Sequence, residues 1–329
     1  MKLKLEEARD LVLKAMRSVD QTEQEAEIIA DHLIGCELRG QDYGGLARAV
    51  SVVERIRTRP SNAEITITHE TPVSAMLDGG DKAGYLGGHR ATVIGIEKAL
   101  THGIAVTGVT NTWYTGMFAH YMEMATDQGL VAMAAGSSDW RVAPKGSSEA
   151  RFGTNPVAFG FPSEGQPIIM DAGVSAIMMS EATLARRLEQ PLDEGIAWNA
   201  EGESTRDPSE ALAGAFAVWG GGKGSALGAS IQLFGLLAGG LMKPDPLADC
   251  SLFLMFMKPD LLVGEQALRK NVSDYADALR GARPLDPNNP PRMPFDRAAS
   301  EREERLRTGE IDVADRIVVT LKAIINGDA

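Results

Sequence analysis

The chain has 329 residues and a mass of 35.1 kDa, with 44% hydrophobic and 24% charged residues, so it can bury a sizeable core and is neither a small stapled module nor a disordered segment. A formal net charge of −12 and a pI near 5.0 repel the phosphates of nucleic acid and of an anionic membrane surface. Neither is expected as a partner, and a small anionic substrate must be held by local arginines and lysines.

Cys36 and Cys250 are the only cysteines, too few for a disulfide framework and without zinc-like spacing, so both are read as small hydrophobes. His32, His69, His89 and His102 show no ligand spacing, and no metal is expected. The N-terminus has no apolar leader and no stretch approaches about eighteen uncharged apolar residues. The expected location is cytoplasmic.

In chain order, residues 6–16 carry Ala8, Leu11, Val12, Ala15 and Met16 at helical spacing, and a second helix carries Ile29, Leu33 and Cys36 on one face. Thr22 followed by Glu25 predicts a capping box at the second helix. Gly40, Gly44 and Gly45 mark its exit. Alternation over residues 63–68 predicts a half-buried strand, followed by another over 73–78 and a turn at Gly79, Gly80 and Asp81. A helix over 88–102 is expected to turn Val93, Ile96 and Leu100 inward, and strands over 104–110 and 130–135 bracket a helix around 117–126. Residues 141–171 are rich in Gly, Pro, Ser and Asn, the composition of irregular backbone where sites gather. Residues 227–242 read as a buried helix and 250–257 as a buried strand. A proline-rich connection over 280–296 leads to a charged, then amphipathic, helical ending over 298–325. There is no internal repeat.

No G-x-G-x-x-G follows a strand and opens a helix, so a Rossmann fingerprint is missing. In Gly220-Gly221-Gly222-Lys223-Gly224-Ser225 the extra glycine breaks the G-K-[ST] order of a P-loop. The run still permits backbone approach to an anion at a helix N-terminus, or simply makes a tight packing turn.

Leu38-Arg39-Gly40-Gln41-Asp42-Tyr43-Gly44-Gly45-Leu46-Ala47-Arg48 resembles the L-R-G-x-D-S-H-G-x-x-R motif of the type-2 malate/L-lactate dehydrogenase family, NAD(P)-dependent reductases of 2-oxo acids and cyclic ketimines. Further blocks follow in the family's order. Phe152-Gly153-Thr154-Asn155-Pro156 resembles L-G-T-N-P, preceded by Ala143-Pro144-Lys145-Gly146 for A-P-x-G. Ile168-Ile169-Met170-Asp171 is similar to its apolar run ending in Asp, Thr205-Arg206-Asp207-Pro208 matches T-x-D-P, and Trp219-Gly220-Gly221-Gly222-Lys223-Gly224 resembles P-x-G-G-x-K-G. The departures are Tyr43-Gly44 for Ser-His, Asn111-Thr112-Trp113-Tyr114-Thr115-Gly116 for N-S-x-H-F-G, Ser137 for an asparagine, and Pro294-Phe295-Asp296-Arg297 for P-G-E-R.

The resemblance implies an α/β, family-specific non-Rossmann fold: a largely antiparallel sheet domain, and a helical domain built from both chain ends. Residues 1–72 would pack with 280–329, and 73–279 would form the mixed α/β cofactor-binding domain. It also implies NAD or NADP as cofactor and a homodimer. Carried onto this sequence, Arg48 would hold the substrate carboxylate in a bidentate fork, or be an exposed arginine on the following helix. Arg39 and Asp42 would pair with each other or cap a helix end. Thr154 and Asn155 would contact substrate, or form a turn. Tyr114, Thr115, Gly116, Met170, Asp171, Lys223, Gly224, Asp296 and Arg297 would contact the cofactor.

The missing histidine leaves the proton donor open. Tyr43 can serve if neighbouring cations lower its pKa, or it packs at a helix exit. His120 can reach inward, or be a structural histidine. Asp171 can orient another group, bind ribose, or be a relic of the lost pair. The functions in play are reduction of an imine that arrives already protonated, reduction of a 2-oxo acid with a new donor, and a fold-retaining protein that has lost or exchanged the redox step.

Overall fold

The structure, a computed structural model, describes residues 1–328. Helix Leu5–Arg17 buries Ala8, Leu11, Val12, Ala15 and Met16. Helix Glu23–Leu38 begins at the expected capping box: the Thr22 side chain accepts from the Glu25 N–H at 3.2 Å, and the Glu25 carboxylate accepts from the Thr22 N–H at 3.0 Å. Helix Leu46–Thr58 packs on both, and helix Asp315–Asn326 adds Ile317, Val318, Leu321 and Ile324 to the same core. Strand Lys2–Lys4 pairs antiparallel with Glu310–Asp312. Both chain ends therefore share one hydrophobic core.

Seven strands form the main sheet, in the spatial order Thr66–Thr71, Ser74–Ala83, Ile104–Trp113, Cys250–Met257, Val131–Ser137, Val157–Phe161, Ile168–Ala172. Every neighbouring pair is antiparallel except the second with the third. The central strand is buried on both faces, as its apolar run predicts. Leu252, Leu254 and Phe256 enter one core and Phe253 another, because successive side chains leave a strand on opposite sides. Helices Gly84–His102 and Ala119–Thr126 cover the first face, and Gly221–Leu237 lies on the second.

Four expectations change. Strand Thr66–Thr71 is an exposed edge, not half-buried. The turn at 79–81 is a register shift inside one strand, Ser74–Ala83, with Gly80 and Asp81 at φ 63 and 52. Helix Gly84–His102 turns Ile96 inward as expected, together with Gly88, Ala91, Gly95 and Ala99, but Val93 and Leu100 are exposed; at Gly95 the sheet leaves no room for a side chain, since a Cβ there would lie 2.2 Å from the Phe256 ring. Helix Gly221–Leu237 is not buried all round, for Leu233 and Leu237 are 63% and 71% exposed. Among the described residues no helix is long and apolar enough to cross a membrane.

Candidate active site

A cavity of about 230 Å³ opens where the helical core meets the sheet. Its wall is drawn from distant parts of the chain. The short turn Asp42–Gly44 and the helix after it supply Tyr43, Gly44 and Arg48; the loop after strand Ile104–Trp113 supplies Tyr114, Thr115 and Gly116. Asp171 comes from strand Ile168–Ala172, Thr154 from the Gly-Thr-Asn-Pro loop, and Asp139 and Arg141 from the loop after Val131–Ser137.

Local chemistry fixes these segments. Tyr114 sits at φ 50 and Gly116 at φ 86, and a Cβ on Gly116 would come within 2.2 Å of His32 Nε2. That nitrogen accepts the Met117 N–H at 2.8 Å, fastening the loop to helix Glu23–Leu38. Glu37 Oε1 accepts the Leu46 N–H at 2.6 Å beneath the altered motif, and burial pushes its carboxyl up to about 8.

Arg48 is 8% exposed, so the reading of it as a surface arginine fails. Its guanidinium lies 4.2 Å from the centroid of the Tyr114 ring, Nη1 has no hydrogen-bond partner, and among the described residues no carboxylate pairs with it. A buried, uncommitted guanidinium on a cavity wall is suited to an incoming carboxylate.

Asp171 Oδ2 accepts the Ala119 N–H at 2.8 Å, at the start of helix Ala119–Thr126. Burial outweighs that bond and a second from Phe118, and its carboxyl is pushed up to about 6. Tyr43 lines the same cavity, but its phenol is pushed up by burial, with the Glu181 carboxylate adding to the shift and Arg297 only opposing it. The one cation acting on it does not offset burial, so its pKa stays above the ordinary value. Gly44 has no side chain to offer, and a Cβ there would lie 3.2 Å from Cys36 Sγ. Cys36 and Cys250 are buried as expected, and both also face the cavity, with thiols pushed up to about 12 by burial. They are neutral and unreactive near pH 7.

Other expected residues lie elsewhere. His120 stands off the cavity wall, its ring centroid 4.7 Å from that of His32, and burial together with the Arg39 cation pushes it down to about 4. It is a neutral, packed histidine near pH 7. Asn155 is fully buried at φ 40, and its amide donates to Gly228 O at 2.8 Å and to Gln232 Oε1 at 3.0 Å, tying its loop to helix Gly221–Leu237 instead of facing the cavity. Met170 pairs with Phe159 and packs against the sheet core. Asp296 is held by Arg280 at 2.7 Å and by the Met293 N–H at 2.8 Å, while exposed Arg297 lies 3.7 Å from Glu301. Arg39 pairs with Glu123, not with Asp42, and donates to Gly35 O at 2.8 Å.

At the glycine-rich turn, Gly220 and Gly221 take φ 67 and 60 ahead of the 17-residue helix Gly221–Leu237. A Cβ on Gly224 would lie 1.6 Å from Trp219 O, whereas one on Gly222 would meet nothing within 4 Å. Open space at a helix N-terminus beside exposed Lys223 fits the pyrophosphate of a nicotinamide dinucleotide. The sequence did not single out Asp139, Arg141 or Tyr85 as site residues; the first two are placed by loop geometry that no periodicity reports, and Tyr85 by the way the first turn of helix Gly84–His102 packs. Among the described residues no three His, Cys, Asp or Glu side chains are grouped to hold a metal ion.

The sequence matches the family described as malate/L-lactate dehydrogenase over residues 3–322. The chain belongs to that family. It is 27% identical over 293 residues to the L-sulfolactate dehydrogenase of Methanothermobacter thermautotrophicus, covering 86% of each chain. It is 31% identical over 254 residues to the Delta(1)-pyrroline-2-carboxylate/Delta(1)-piperideine-2-carboxylate reductase of Pseudomonas aeruginosa, covering 75% of each. The crystal structure of a dehydrogenase from Sinorhizobium meliloti superposes with a TM-score of 0.91 at 28% identity, over 99% of this chain and 98% of the other. Family membership places the chain among oxidoreductases of small carboxylates.

The Asp171 shift has a stability consequence. Its native pKa, about 6, lies above its ordinary 3.8, so the native state binds more protons in between. The stability this group contributes is full below about pH 4 and is lost as pH rises through about 6. Urea denaturation of Asp171→Asn should therefore show a smaller fall in unfolding free energy between pH 4 and pH 7 than the parent protein. An equal fall in the two proteins would remove Asp171 as its source.

Proposed function

We propose that the chain is an NAD(P)-dependent reductase of a small carboxylate substrate, a cyclic imine or a 2-oxo acid, in which Asp171 takes over the proton chemistry of the missing histidine. The observation that carries this reading is the pairing of groups on one wall: Arg48 with no carboxylate partner, and Asp171 with a carboxyl that titrates near 6. The nicotinamide, when bound, supplies hydride to the carbon of the C=N or C=O group. Lys223 and the Gly220–Gly224 turn would hold its pyrophosphate, and Tyr114, Thr115 and Gly116 would line the nicotinamide side.

Arg48 fixes the substrate carboxylate through paired N–H donors. The Tyr114 ring against its face limits the guanidinium's freedom, so less is lost on binding. Protonated Asp171 gives its proton to the alkoxide oxygen that ketone reduction leaves. Ionised Asp171 instead stabilises an iminium that arrives with its own proton. Tyr43 stays protonated at any working pH and donates a hydrogen bond to the substrate. The helical core and the loop 114–117 exclude water around them.

A second reading, a fold-retaining protein without the redox step, is favoured by one feature. Asp296 is occupied by Arg280 instead of facing a ligand. Titration with NADH and NADPH separates the two, since absence of nicotinamide binding would end the first.

With cofactor affinity unchanged, Asp171→Asn should lower 2-oxo acid reduction by about 10²–10⁴-fold. The parent rate should fall as pH rises above about 6, and the variant should lack that limb. Tyr43→Phe should cost less than about tenfold. If Tyr43→Phe abolishes turnover while Asp171→Asn does not, the donor is Tyr43.

We also propose a homodimer, supported by the exposed Leu233, Leu236 and Leu237 on helix Gly221–Leu237 with Leu241 and Met242 beyond it. Sedimentation equilibrium should give twice the 35.1 kDa chain mass, and Leu237→Glu should shift it toward the monomer. A parent protein that sediments as a monomer contradicts this.

A further inference from the structure

Two guanidinium groups line the cavity, and they differ in what they are already doing. Arg48 has an unpartnered Nη1. Arg141 is ion-paired, its Nε 2.6 Å from Asp139 Oδ2 though without hydrogen-bond geometry, and its Nη1 donates to Leu212 O at 2.8 Å. Asp139 is 6% exposed, so its charge is held in the wall and not screened by solvent. Counting Arg48 and Arg141 against Asp139 and ionised Asp171, the lining is formally neutral; protonating Asp171 leaves one net positive charge. Much of the remaining lining is apolar or aromatic, including Tyr85, Met117, Met178, Met179 and Leu247.

We infer that Asp139 is a specificity-determining residue: by neutralising Arg141 it leaves Arg48 as the one uncommitted cation on the wall, so the cavity takes substrates with a single carboxylate and an uncharged side group and rejects those with two anionic groups. The inference rests on the reading of this cavity as a carboxylate-binding active site. A monoanion finds its counter-charge in Arg48. A second anionic group enters desolvated space where Arg141 is already paired and the Asp139 carboxylate repels it.

The test compares matched probes, 2-hydroxybutanoate with one carboxylate and L-malate with two, binding to the full-length protein in isothermal titration calorimetry with and without NAD⁺ and NADP⁺. The corresponding 2-oxo acids are then assayed for turnover. The parent protein should bind 2-hydroxybutanoate at least about tenfold more tightly than malate. Asp139→Asn, which frees Arg141, should bind malate about 10–100-fold more tightly than the parent and gain more for malate than for the monoacid, so that the ratio of the two affinities narrows. Arg141→Gln, which strips Asp139 of its partner, should weaken both probes.

A parent protein that binds malate as tightly as the monoacid overturns the inference without any variant. So does a folded Asp139→Asn whose ratio is unchanged. Binding of the monoacid with no turnover on either nicotinamide would uphold the charge selection and overturn the reductase reading. Preferred turnover of the diacid would do the reverse.

Discussion

Desolvation in the seam between the helical core and the sheet governs this protein's chemistry. Closing that seam removes ionisable side chains from water, and each must find a partner or change its charge. Arg39 finds Glu123, Arg141 finds Asp139, and Arg55 finds Asp81 at 2.7 Å. His120 gives up its charge instead, and Cys36 and Cys250 are held neutral. Arg48 and Asp171 are the pair on the cavity wall left without a charged partner in the protein, and our functional reading rests on that imbalance.

The altered motif becomes intelligible in the same terms. Gly44 opens the cavity beside Cys36, and Phe295 occupies a left-handed backbone conformation, φ 75, where the family pattern has glycine. A non-glycine residue there costs about 1–2 kcal/mol. Contact of its ring with the Arg39 guanidinium at 5.6 Å and packing against the sheet core offset part of that. The same Arg39 ties the end of helix Glu23–Leu38 to helix Ala119–Thr126, whose first turn binds Asp171. Phe295 is thus linked, through Arg39 and helix Ala119–Thr126, to the backbone that holds Asp171.

Some of this was legible in the residues themselves. The Thr22–Glu25 capping box and the apolar strand at 250–257 each carry a local pattern whose physical cause lies within a few positions. Other features depend on what packs opposite. Helix Gly84–His102 buries Gly88, Ala91, Gly95 and Ala99 beside Ile96, so of the three apolar positions its periodicity turns inward only Ile96 is buried. The C-terminal half of helix Gly221–Leu237 carries leucines on more than one side, and sequence alone does not say that one side lacks a partner within the protomer. Asn155 carries a hydrogen-bonding amide suited to substrate, but helix Gly221–Leu237 takes it first. Asp139 and Arg141 form an ion pair only because their loop turns both inward around Trp140.

The central claim is that the carboxyl of Asp171 stores a proton close to neutral pH. Carbon-13 NMR titration of side-chain carboxyl resonances measures this directly, with Asp171 assigned by the signal missing from Asp171→Asn. A midpoint near 6 is expected in the native protein. A midpoint at or below the ordinary 3.8 would leave Asp171 fully ionised at working pH, and the proton would have to come from elsewhere.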